Sequence, residues 1–155
     1  MPSLKKLIDR ILFPQSTERL FEAMSKKHRI AVLDPGHFHA ALPLRVPNEK
    51  ISDDVYVYSA PGKELDQFVS MIDSFNTRKE NPCSWSLHVC TAENSLEKLI
   101  SDGFCDIAVL AGRNASKMEK IAKLVKAGIN VFADKPWITA ASSLKLLESI
   151  MNEKA

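Results

Sequence analysis

Three short turns carry the residues whose types and spacing could do chemistry. The first, "DPGHFHA" (34–40), sets one glycine and two histidines directly behind a β-branched run. A turn of this kind, opening a helix, can present backbone amides to a pyrophosphate. Set against the dinucleotide fingerprint G-x-G-x-x-G, the three glycine positions fall on Asp34, Gly36 and His39. Only the middle glycine, the one that allows close backbone approach, is present. Ala40 and Ala41 are small enough for the tight helix–strand packing that the third glycine normally permits. Pro35, Gly36, His37, Phe38 and His39 are therefore candidate cofactor-binding residues, with the two imidazoles as added phosphate donors; the alternative for His37 is a solvated turn residue. A second chemistry is metal binding, since H-x-H after a first strand can place two imidazoles on one ion. Such sites draw further ligands from later strands of an eight-stranded barrel. The chain is too short for that barrel, and His28 and His88 lie at no predicted strand exit, so no metal is expected.

A dinucleotide site also wants a carboxylate about 20 residues further on, to hold the adenosine ribose. Tyr58, Ser59, Ala60, Pro61, Gly62 and Lys63 supply none. Ser59 could bond a ribose and Lys63 could neutralise a 2′-phosphate, so NAD and NADP both stay open. Asp53 and Asp54 are placed ahead of the strand at 55–58, at its wrong end. The second turn, "AGRNASK" (111–117), has Gly112 for a sharp strand exit and Asn114 as both donor and acceptor. Asn114 could instead cap the next helix. The third, "ADKPW" (133–137), holds Asp134, Lys135 and Pro136, where proline biases Lys135 toward an extended backbone. A lysine at the mouth of a parallel sheet can hold a substrate oxygen, and partial desolvation would ease proton transfer. Lys135 is the candidate catalytic residue; a plain surface lysine is the alternative.

Positioning these turns requires strands that end together. "RIAVL" (29–33), "VYVY" (55–58), "WSLHVC" (85–90), "DIAVLA" (106–111) and "NVFA" (130–133) read as five strands. The third alternates Trp85, Leu87 and Val89 against Ser86, His88 and Cys90, which suits a strand near the sheet edge. Between the strands, apolar residues recur at helical spacing: Leu65 to Phe75, Leu96 to Ile100, Met118 to Val125, and Leu144 to Met151. "HAALPL" has room for a short helix kinked by Pro43 and ended by Pro47, and Gly128 stops the helix before the fifth strand. Alternating strands and helices predict right-handed βαβ units in a doubly wound, Rossmann-like parallel sheet of order 3-2-1-4-5. Ligands of such sheets bind beyond the strands' carboxyl ends, at the switch between strands 1 and 4. Residues 1–27 read as a helical preface, with Leu4, Leu7, Ile8 and Ile11 on one face, set against the domain or a partner chain.

Composition narrows the classes. At 155 residues the chain suits one domain with a real core. A net charge of +2 gives no basic field for nucleic acid. No apolar run approaches the roughly 20 residues of a spanning helix, and Asp9 and Arg10 break the only stretch that resembles a signal peptide. Cys83, Cys90 and Cys105 form no C-x-x-C pair, which fits reduced structural thiols in a cytoplasmic protein.

Together the turns resemble the glucose–fructose oxidoreductase/inositol dehydrogenase family (Gfo/Idh/MocA), enzymes that use NAD or NADP. Asp134-Lys135-Pro136 is similar to the family's E-K-P motif, and Gly112-Arg113-Asn114 to its T-P-N turn. "DPGHFHAAL", "VYVYSAPG" and "GINVFADKP" are similar to one subgroup, and the resemblance covers residues 28–150. It implies that the Gly36–His39 turn carries the pyrophosphate, that Asn114 lies near the nicotinamide ribose, and that Lys135 touches a substrate hydroxyl. The implied substrate is a sugar, polyol or related hydroxyl compound. Family members carry a further strand and a second α/β domain that binds substrate and supplies a catalytic histidine; this chain stops at Ala155. By that resemblance it is either a chain cut short or a short protein that binds a dinucleotide, or dimerises, without turnover.

Overall fold

A computed structural model of the chain describes residues 26–153. The proposed helical preface lies almost wholly outside them. Five parallel strands form one sheet: β1 (His28–Leu33), β2 (Ile51–Ser59), β3 (Ser86–Thr91), β4 (Ile107–Leu110) and β5 (Asn130–Ala133). Their order is β3-β2-β1-β4-β5, the doubly wound arrangement expected. The crossovers are a 3-10 helix (Phe38–Leu44) and the α-helices α1 (Lys63–Thr77), α2 (Ser95–Asp102) and α3 (Lys117–Lys126); α4 (Ala141–Glu153) follows β5.

The central strands β1, β2 and β4 bury both faces over their carboxyl halves because each face has a helical cover there. On one side Val32, Val57 and Val109 pack beneath Ala41 and Leu44 of the 3-10 helix and Phe68 and Ile72 of α1. On the other, Leu33, Ala108 and Leu110 pack beneath Leu99 of α2 and Ile121 and Leu124 of α3, with Ile150 of α4 added. Pro43 lies inside the 3-10 helix, where its missing amide and ring prevent a regular α-helix. Gly128, at φ 79°, ends the turn after α3 in the left-handed region, as its position predicts.

One local expectation needs correction. β2 begins at Ile51, so Asp53 and Asp54 lie inside the strand, near its amino end, where Asp54 meets His88 of β3 at 2.8 Å. The third strand lies at the sheet edge, as its alternation suggests, and its apolar residues are unevenly covered. Trp85 is buried just ahead of the strand, its Nε1 donating to the Leu44 carbonyl at 2.6 Å, while Val89 is 44% exposed. β3 is an edge strand, and the helix cover does not reach that far. All three cysteines are free. Among the described residues no helix is long and apolar enough to cross a membrane.

Register aligns the carboxyl edge. Leu33 pairs with Tyr58 and with Leu110, and Leu110 pairs with Ala133. The next residue of each strand or turn therefore stands on one rim: Asp34, Ser59, Ala111 and Asp134. Backbone bonds hold this row, Asp34 N–H to Tyr58 O at 2.9 Å and Asp134 N–H to Leu110 O at 3.0 Å.

Candidate functional site

The three turns meet on that rim. A Cβ built on Gly36 would lie 3.4 Å from the Gly112 Cα, and one built on Gly112 only 2.7 Å from the Asp34 carbonyl oxygen. Gly112 is thus required by backbone approach: any side chain there would force the first and second turns apart. His39 in the first turn reaches Asp134 in the third, Nδ1 to Oδ2 at 3.2 Å. Lys117, the first residue of α3, closes on Asp134 Oδ1 and donates to its backbone oxygen at 3.1 Å.

Asp34 occupies the place of the missing first glycine. It adopts a left-handed backbone with φ 46°, a region that aspartate tolerates better than most residues. Its carbonyl accepts the Gly36 amide at 2.7 Å, which closes the turn. Its carboxylate accepts from the Ser95 hydroxyl and from Lys120 Nζ, each at 2.6 Å. The tight exit that glycine would supply by conformational freedom is here held by side-chain bonds to α2 and α3.

Between the first and second turns and the end of β2 lies a cleft of about 560 Å³, lined by Gly36, Ser59, Gly62, Lys63, Glu64 and Arg113 among others. Ser59 is buried, and its hydroxyl donates to the Ala60 carbonyl at 3.0 Å. Three cations, Lys63, Arg113 and Lys120, and two carboxylates, Asp34 and Glu64, border this cleft; Lys120 bonds Asp34 and Arg113 lies 3.7 Å from Glu64. The residues present fit a dinucleotide: a close-approach glycine turn, cations for phosphate, and an acidic charge at Asp34 already neutralised by Lys120. Asn114 sits half-buried at the second turn. The N-cap residue of α3 is Ser116, which makes no side-chain cap bond. A second hollow of about 370 Å³ opens between the first and third turns, lined by His39, Leu42, Pro43, Phe132 and Asp134 among others.

Of the other candidates, Pro35 is buried, His37 and Phe38 are exposed, and His37 accepts the His39 amide through Nδ1 at 3.4 Å. Lys135 and Pro136 are exposed and joined by a cis peptide bond; the burial expected of a desolvated lysine is not found at Lys135 among the described residues. Burial, the largest influence on the Asp134 carboxyl, pushes it up; the bonds from Lys117 and His39 together outweigh it and hold the group below the ordinary carboxylate range.

Lys117, Lys120, Ser95 and Glu64 were not singled out from the sequence. For Lys117 a signal exists. It stands four residues before Ile121, on the buried stripe of α3, and a lysine there needs a carboxylate partner.

A family model described as "Oxidoreductase family, NAD-binding Rossmann fold" (GFO_IDH_MocA) matches residues 49–155, more than half of the chain. The chain belongs to the Gfo/Idh/MocA family. A provisionally named oxidoreductase from Parabacteroides merdae is 41% identical over 83% of this chain, with a TM-score of 0.80. More distant structures share the fold. They include GenD2 from gentamicin A biosynthesis in complex with NAD (15% identity, TM-score 0.58, covering 84% of this chain). KijD10, a 3-ketoreductase from Actinomadura kijaniata in complex with TDP-benzene and NADP, is 16% identical over 83% of this chain, with a TM-score of 0.56. The chain spans 29% of the Parabacteroides protein, 33% of GenD2 and 36% of KijD10. No curated protein matches it. As a member of this family, the chain is an NAD-binding Rossmann domain of the oxidoreductase type, which agrees with the resemblance read from its three turns.

Proposed function

We propose that this Gfo/Idh/MocA chain binds NAD or NADP across the rim formed by its three turns and serves as the nucleotide-binding part of an oxidoreductase. The substrate class we assign is a sugar, polyol or related hydroxyl compound. The observation that carries the reading is convergence: Gly36 against Gly112, and His39 and Lys117 both on Asp134. In this reading the Gly36–His39 turn takes the pyrophosphate. Ser59, Lys63 and Arg113 border the adenosine ribose, and Asn114 lies toward the nicotinamide ribose. When bound, the dinucleotide supplies the hydride acceptor or donor. The chain's own part is to orient it, while Asp134, fixed by its two partners, sets the backbone that carries Lys135. Lys135 then meets the substrate oxygen, desolvated by whatever covers the site during turnover. GenD2 in complex with NAD and the 3-ketoreductase KijD10 in complex with NADP share this fold, which agrees with the cofactor class. A cytoplasmic location agrees with three free thiols.

Thermal unfolding with NAD+, NADH, NADP+ and NADPH tests the reading. A ligand that binds only the folded state at about 100 times its Kd adds about 2.7 kcal/mol, so at least one dinucleotide should raise Tm by several degrees. No shift with any of the four at millimolar concentration rejects it.

One observation favours a second reading, a module that associates through an apolar face. Phe132 is 59% exposed and Leu42 44%, and both line the hollow between the first and third turns. Sedimentation would show a concentration-dependent dimer weakened by Phe132→Asp; a monomer at all concentrations excludes it.

A further inference from the structure

We propose that His37, His39 and Asp134 form a binding site for a divalent first-row transition cation. One ligand atom from each residue can be chosen so that all lie within 4.8 Å of one another. His39 Nδ1 and Asp134 Oδ2 are 3.2 Å apart. That is close to the roughly 3.3 Å edge of a tetrahedron whose metal bonds are about 2.0–2.1 Å. An ion can therefore be shared by these two atoms with little movement of either backbone. The ring centroids of His37 and His39 are 4.2 Å apart and the rings stand edge to face, so the second imidazole is beside the first. His37 is exposed and His39 and Asp134 are half-buried, so the His37 side chain has room to turn its ring toward the other two donors.

The donor set selects the ion. Two imidazoles and one carboxylate suit zinc, cobalt, manganese or ferrous iron, whereas calcium and magnesium favour oxygen shells. Asp134 would bind through one oxygen only, because Lys117 takes the other. That neighbouring ammonium stabilises the carboxylate and limits the ion to monodentate capture. The ligands come from two elements, the turn after β1 and the residue after β5, so the ion would tie the first and third turns together. Asp134 lies 95 residues from His39 and reaches it only through the register of β1, β4 and β5.

Three protein donors leave positions open. His39 and Asp134 also line the 370 Å³ hollow, where an oxygen donor could complete the shell. If that oxygen is a substrate hydroxyl, the inference rests on the dinucleotide reading; the ion site itself does not.

The test uses the whole chain, freed of metal with a chelator and dialysed. It is titrated with Co2+, read by visible absorption, and with Zn2+, read by calorimetry. The expected result is one equivalent of each, with d–d bands for Co2+. Each of His37→Ala and His39→Ala should weaken Zn2+ binding at least about tenfold, with unchanged far-ultraviolet circular dichroism, and the double variant should lose the cobalt spectrum. Asp134→Asn is a secondary variant, because Lys117 depends on that carboxylate. No bound cation in the unaltered chain overturns the proposal. So does stoichiometric binding that survives the double variant. Dinucleotide melting shifts measured in chelator are a separate readout: they persist if only the ion site is wrong, and the cobalt spectrum persists if only the dinucleotide reading is wrong.

Discussion

Gly112 and Asp34 touch backbone to backbone: a Cβ on the glycine would stand 2.7 Å from the aspartate's carbonyl oxygen. That carbonyl also accepts the Gly36 amide and cannot swing away without opening the first turn. Gly112→Ala should cost about 1–3 kcal/mol, the usual range for overpacking, and lower Tm by several degrees. Gly36→Ala meets nothing nearer than 3.4 Å and should melt near the unaltered chain, with its effect confined to dinucleotide affinity. Equal losses of stability in the two variants would contradict this account.

Asp34 supports a second prediction. Its backbone favours glycine, at φ 46°, but its carboxylate binds Ser95 and Lys120. Asp34→Ala loses both bonds and keeps a Cβ in the left-handed region. Asp34→Gly loses the bonds but relieves the backbone by about 1 kcal/mol. Both variants should be less stable than the parent, the glycine form the milder. Denaturant midpoints at constant slope measure the difference.

Lys117 is 2% exposed and faces Asp134, whose side chain is 19% exposed. Lys117→Met leaves a mostly buried carboxylate without its cation and should destabilise by about 2–4 kcal/mol, near the range for broken buried pairs. Adding Asp134→Asn should recover part of that loss, because the stranded charge is removed. A strictly additive double variant would show that the two residues are not coupled.

Acid sensitivity follows from two carboxylates. The Arg29 guanidinium, bonding Asp106 at 3.1 and 3.3 Å, holds that carboxyl below its ordinary value against the opposing effect of burial, and Asp134 is depressed as well. A carboxyl depressed on folding stabilises above its unfolded pKa of about 4. That stability is lost as pH falls through the folded value. Urea midpoints should therefore be level from pH 5 to 7, by this rule for these groups, and drop below about pH 4. Arg29→Met should flatten the Asp106 part of the drop. Because Arg29 and Asp106 lie at the sheet's amino edge, dinucleotide binding should be unaffected in that variant.

Much of this fold was legible because the strands are short β-branched runs buried on both faces, and such runs separated by amphipathic stripes admit few topologies. The strand order and the three-turn rim followed from that alternation alone. The long amino-terminal reach of β2 was not legible, since "ISDD" is polar and joins the strand only by pairing, His28 with Ile51 and Asp54 with Ser86. Nor was the exposure of Val89, which depends on where helix cover ends. Within the site, glycine and proline marked the turns, but the side chains that tie them together did not announce themselves. Lys120 and Ser95 lie on helices whose phase relative to the sheet is set by packing; Lys117 falls on the apolar stripe of α3, but its partner Asp134 is fixed only by the fold; and Asp34, a gap in the glycine pattern, is a bonded replacement.

The central claim is that one groove on the carboxyl rim holds a dinucleotide, and co-crystallisation of the chain with millimolar NAD+ or NADP+ tests it most directly. The account predicts pyrophosphate density against the Gly36–His39 turn, with one ribose toward Ser59 and Lys63 and the other toward Asn114. A dinucleotide bound elsewhere, or a rim closed by Arg113 and Glu64 with no density beside Gly36, would contradict it.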